Sequence, residues 1–125
     1  MLYAILCYDS EEAVSAWSSE EDAEAMLRLG AVEATLASQG KLGPVARLMP
    51  TGSARTLRKR ADALVVDGPF AETKEQLLGF FVVDCASTDE AVAAARALAG
   101  ASLGKGAYEI RPMRVFRPGA VAAST

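Results

Sequence analysis

The sequence predicts an α+β domain in which an antiparallel sheet carries two helices on one face. Three observations point there. LYAILCY (Leu2–Tyr8) and LLGFFVVDC (Leu77–Cys85) are apolar runs of strand length. Ser18-Ser19-Glu20-Glu21 and Ser87-Thr88-Asp89-Glu90 each offer a capping box that opens a helix. The 125 residues, 51% hydrophobic and 23% charged, have the balance of one folded domain with a real core.

Taken in order, Leu2–Tyr8 is a strand expected to be buried on both faces, and Asp9–Trp17 is a loop. The helix opened by Ser18 places Ala23, Met26, Leu27, Gly30, Ala34 and Ala37 on one face, with Asp22, Glu24, Arg28 and Glu33 elsewhere and Gly40 as a stop. Lys41–Met49 reads as a weaker strand with an irregular start at Gly43-Pro44. Pro50-Thr51-Gly52-Ser53 turns the chain. Arg55–Lys59 and Leu64–Val66 form a short hairpin around Ala61-Asp62. After Leu77–Cys85 the second helix turns Ala91, Val92, Ala95, Leu98 and Ala99 inward and closes at Gly100. Tyr108–Phe116 is a last strand interrupted by Pro112. One domain over 1–116 and a flexible tail over 117–125 are expected.

Strand, helix, strand, hairpin, strand, helix, strand, with the two crossovers interleaved in one sheet, gives the ferredoxin-like arrangement plus an extra hairpin. Both helices then cover the same face. The other face is apolar and has no cover within the chain, which predicts a homodimer packed sheet to sheet.

Composition excludes several classes. A net charge of −3 argues against general affinity for nucleic acid or anionic membrane, and the one basic cluster, RTLRKR at Arg55–Arg60, has no interleaved aromatic. No apolar run approaches the roughly 20 residues that cross a bilayer. MLYAILCYDSEE lacks the basic start and cleavage pattern of a signal peptide, so a cytoplasmic location is expected. Cys7 and Cys85, without CxxC spacing, are expected to be reduced and buried rather than metal-binding.

DGPFAETKEQLLGFF, with VV before it and YEIRPM near the end, resembles the DGPF-type branch of the YCII-related proteins. The likeness spans nearly the whole chain, from the Tyr-Asp end of the first strand to Arg111-Pro112. It implies a ferredoxin-like fold that dimerises into an α+β barrel, in agreement with the packing argument. Some relatives accompany sigma factors of the extracytoplasmic-function class, and others are described as acting on muconate- or lactone-type ring-cleavage products. Members of the other branch carry a His–Asp pair in a pocket. This chain contains no His, so that dyad has no counterpart here, and neither a cofactor nor a metal is expected.

The candidate site follows from the same stretch. Asp67 is a turn-stabilising residue or, projecting from a strand end, a general base; Glu75 is the other candidate base. Lys74 is a structural lock to Asp67 or Glu75, or an anion-binding group. Arg111, on the opposite side of the last strand from Tyr108 and Ile110, suits a carboxylate or an interface ion pair. Tyr8 and Asp9 end the first strand where a cleft between sheet and helix would open, and Phe70 is a core or interface anchor. Three functions stay open: metal-free acid–base chemistry on, or binding of, a small polar or acidic metabolite in each subunit; a non-catalytic ligand-binding or regulatory dimer, linked to a sigma factor as the resemblance allows; and a structural dimerisation module.

Overall fold

The computed structural model describes residues 1–121. Its strands are β1 (Leu2–Ser10), β2 (Leu42–Arg47), β3 (Arg55–Leu57), β4 (Val65–Asp67), β5 (Glu75–Asp84) and β6 (Ala107–Pro112). Its helices are α1 (Glu11–Ser15), α2 (Ser19–Ser38) and α3 (Thr88–Ala101). β2, β5, β1 and β6 pair antiparallel in that order, and β3 and β4 make a separate two-stranded sheet. The two strand–helix–strand crossovers, β1 to β2 and β5 to β6, therefore interleave. Residues 113–121 have no helix or strand, and the rest of the expected tail lies outside the described residues.

Alternation along β1 and β5 decides which side is buried. Tyr3, Ile5, Phe81 and Val83 turn toward the helices and form one cluster with Leu36 of α2 and Ala91, Ala94, Ala95 and Leu98 of α3. Ile5, Val83 and Leu98 are wholly enclosed. The small residues of α3 let it lie close to the sheet, and the Arg28 guanidinium of α2 donates to the Ala101 carbonyl at the end of α3, 3.2 Å away. On the opposite side Leu2, Ala4, Leu6 and Phe80 stay half-buried. Within the chain β1 is thus covered on one face, not both.

Several elements depart from the sequence expectation. Asp9–Trp17 is not a loop throughout: β1 runs to Ser10, whose hydroxyl accepts from the Ala13 N–H and starts α1. The Ser18 box forms in full, with the Ser18 hydroxyl accepting from the Glu21 N–H and the Glu21 carboxylate from the Ser18 N–H, both at 3.0 Å. At Ser87 only half of it forms. The Ser87 hydroxyl accepts from the Glu90 N–H, while the Glu90 carboxylate bonds the Ala86 N–H and pairs with Lys41. Lys41 and the Ala86 amide hold the Glu90 carboxyl below its usual range, with desolvation opposing them. α3 runs past Gly100 to Ala101, Val92 is half-buried and Ala99 exposed, and the last strand stops at Pro112.

The buried face of α2 also differs from the one expected. Ala25 and Leu36 are buried and Leu29 and Val32 pack on the core, while Ala23, Leu27, Gly30, Ala34 and Ala37 face out. Alanine-rich helices present two faces of nearly equal apolarity, and the larger Leu29, Val32 and Leu36 decide which one packs.

Candidate functional site

A cavity of about 220 Å³ lies between α2 and the sheet at the Ser10 end of β1. β1 supplies Cys7, Tyr8 and Asp9 to its wall. α1 and the residue chain that follows it supply Val14 and Trp17, and α2 supplies Asp22, Met26 and Glu33. Val45 and Arg47 of β2 close one side, and the loop from Ser102 to Gly106 with Tyr108 of β6 closes the other.

Backbone geometry brings these walls together. A bulge between Cys7 and Tyr8 shifts the register of β1 against β5 and bends the strand end into the cleft. Gly106 lies so close to the Tyr8 carbonyl that a Cβ there would overlap its oxygen. Gly104, at φ +93°, leaves the space in which one Asp9 carboxylate oxygen sits, with the Trp17 ring beyond it. The other Asp9 oxygen accepts from the Ser10 N–H at 2.7 Å. α1 is tied down through Glu11, whose carboxylate accepts from the Thr51 N–H at 2.7 Å and from the Thr51 hydroxyl. That clasp holds Val14 and Trp17 over the cavity.

The polar groups fall into two sets. Deep in the cleft, burial pushes the Cys7 thiol up to about 11, with a hydrogen bond from Tyr108 opposing it in part. Burial likewise raises the Tyr108 phenol, offset in part by the Ser102 hydroxyl. Both groups stay protonated at neutral pH and can donate. The Tyr108 ring also meets the Phe81 ring, with centroids 6.2 Å apart and planes tilted by 47°. At the mouth, Arg47 grips Asp22 through two nitrogens, at 3.0 and 3.3 Å, and donates to the Met26 sulfur at 3.6 Å.

Of the residues singled out from sequence, the structure brings Tyr8 and Asp9 to this cavity. The other five, Asp67, Phe70, Lys74, Glu75 and Arg111, do not line it. Asp67 ends β4 with its side chain 88% exposed, and its carboxylate pairs at 3.0 Å with Arg55 rather than with Lys74. Gly68, at φ +100°, donates its N–H to the Ala54 carbonyl, and the Thr56 hydroxyl donates to the Gly68 carbonyl. The DGPF turn is thereby laced to β3. Glu72, Thr73 and Lys74 are exposed, and Glu75 is exposed opposite Ser10 at the sheet end. Arg111 is exposed opposite Ala4, beside the uncovered sheet face. Phe70 is 73% exposed, with the Arg58 guanidinium 5.0 Å from its ring centre.

Sequence reasoning missed Trp17, Asp22, Glu33, Arg47 and Tyr108 as cleft residues. Asp22 and Glu33, expected away from the packed face of α2, line the cleft because that helix is rotated from the expected setting. The signal that could have exposed α1, and with it Trp17, is Ser10-Glu11-Glu12: an N-cap followed by two acids. Among the described residues no three His, Cys, Asp or Glu side chains cluster closely enough to hold a metal ion.

Comparison with known proteins places the molecule. The YCII-related domain matches residues 1–117. The chain belongs to the YCII-related family. It is also 57% identical over 120 residues to an uncharacterized protein of Rhizobium meliloti (strain 1021), a match covering 95% of this chain and 97% of that one. The YCII-related chain is thus an α+β protein with a four-stranded antiparallel sheet, and no helix among its described residues is long and apolar enough to cross a membrane.

Proposed function

We propose that this YCII-related protein binds a small metabolite in the cleft under α2 and acts on it by metal-free proton transfer. The observation that carries the reading is the meeting of Asp9, an anchored carboxylate, with Tyr108, a phenol kept protonated, on the wall of one mostly apolar cavity. Asp9 is the base and Tyr108 the donor in that scheme. The roles considered for Asp67 and Glu75 as bases and for Lys74 and Arg111 as anion holders require a second surface outside this cleft.

The test is a fragment screen by protein-observed NMR, followed by incubation of each hit in heavy water. Hits that perturb Trp17 and Tyr108 resonances, and exchange a carbon-bound proton for deuterium with wild type but not with Asp9→Asn, support the reading. A screen whose hits all map away from the cleft overturns it.

The protein is further proposed to be a cytoplasmic homodimer of ferredoxin-like subunits of the DGPF branch. Support comes from the strand order β2-β5-β1-β6, the half-exposed apolar row Leu2, Leu6 and Phe80, and the DGPFAETKEQ string. A second reading, a regulatory partner that docks another protein, is favoured by one observation. The β3–β4 hairpin exposes Leu57, Leu64, Val65, Val66 and Phe70 together.

A further inference from the structure

We infer that the cleft selects a small amine: a protonated nitrogen carried on an apolar, preferably aromatic, body. This inference rests on the cleft being a ligand site and names the class of ligand it takes. The cavity wall carries three carboxylates, Asp9, Asp22 and Glu33, against one cationic side chain, Arg47. Arg47 is engaged through both terminal nitrogens by Asp22. Those two charges largely cancel. Asp9 and Glu33 have no cationic partner among the described residues, so the cavity retains an excess of negative charge.

A ligand carboxylate entering here has to pull Arg47 from Asp22 and then sit among unneutralised acids. An ammonium meets the opposite situation, since its charge offsets the excess and carboxylates on the wall can accept its protons. The remaining wall suits the rest of such a molecule. Trp17, Phe81 and Tyr108 present aromatic surface, which favours an apolar body and attracts a cation to its faces, and Met26 adds a polarisable flank. A volume of about 220 Å³ limits the ligand to a compact molecule of one ring or a short chain. Proton-transfer chemistry on an amine then has its base and donor on the same cavity wall, in Asp9 and Tyr108.

The experiment is calorimetric titration of the full chain with three isosteric probes at pH 7: 3-phenylpropylamine, 3-phenylpropanol and 3-phenylpropionate. The expected result is binding of the amine at least tenfold tighter than of the alcohol, with the carboxylate weakest, and weakening of the amine alone as salt is raised. Glu33→Gln lowers amine affinity several-fold and leaves the alcohol unchanged, whereas Glu12→Gln, on the exposed side of α1, changes neither. Equal or tighter binding of the alcohol or the carboxylate overturns the amine assignment while leaving the cleft a ligand site. Failure of all three probes on wild type, with no change in Trp17 fluorescence, overturns the assignment and the ligand-site reading together.

Discussion

At the scale of single residues, two positions carry the cleft, one through shape and the other through protonation. Gly104 is where a side chain is excluded twice, by φ +93° and by the Asp9 carboxylate that occupies the place of its Cβ. Gly104→Ala is expected to cost about 1–3 kcal/mol in urea unfolding, as a strained left-handed residue does. It should also displace Asp9 and so abolish the binding of any cleft ligand. Cys7 gives a dependence on pH. Its thiol is held above the ordinary 9.0 at about 11 in the folded chain, so the native state binds that proton more tightly than the unfolded one. The resulting stability is whole below pH 9 and is lost as pH rises toward 11, which melting curves across that range should show, with a shallower decline in Cys7→Ala. Below pH 8 the same thiol should react with a disulfide reagent far more slowly when native than when denatured. None of this was legible at Gly104, which reads as an ordinary loop glycine. Cys7 was legible only as a small core residue, because its position beside Tyr108 depends on a pairing between distant strands.

At the scale of elements, periodicity and capping found what is long and strongly patterned. β1, β5, α2 and α3 emerge from LYAILCY, LLGFFVVDC and the two Ser-led caps, and the short β3–β4 hairpin emerges from its turn residues. α1 was missed because five residues cannot show a helical period, and its clasp partner, Thr51, lies 40 positions away. The orientation of α2 was missed because its alanines do not distinguish two faces. These elements behave differently under mutation. Ser18→Ala removes one side of the full capping box and is expected to destabilise the fold by about 1 kcal/mol, readable in chemical denaturation. Glu11→Gln should leave global stability nearly unchanged. It should speed amide hydrogen exchange over α1 and raise the mobility of the Trp17 ring, because it weakens a single tie to a surface turn.

At the scale of the molecule, the order of the sheet strands and the two long helices was legible and yielded the sheet; of the cleft, only the end of β1 at Tyr8 and Asp9 was. The most unusual string in the sequence, DGPFAETKEQ, builds an exposed turn laced to a hairpin, while the cavity is assembled from ordinary residues of β1, α1, α2 and β6. A site made from scattered side chains leaves no contiguous mark, and a signature can record a turn or an interface as readily as chemistry. The proposed assembly rests on the uncovered sheet face. Wild type is expected to run as a dimer in light scattering, and Phe80→Asp, which sets a charge into that face, to run as a monomer with a lower melting temperature. A dimer that tolerates the aspartate at unchanged melting temperature would place the interface elsewhere. The pairing of Cys7 with Tyr108 also sets a timetable. During synthesis β1 leaves the ribosome well before β6, so a nascent chain has one wall of the cleft long before it has the other. Until β6 slots in beside β1, the thiol of Cys7 lacks its cover and the proposed ligand has nowhere to bind. A ligand of the proposed site would therefore stabilise only finished molecules, and the Cys7 thiol is most accessible to oxidants while the protein is being made.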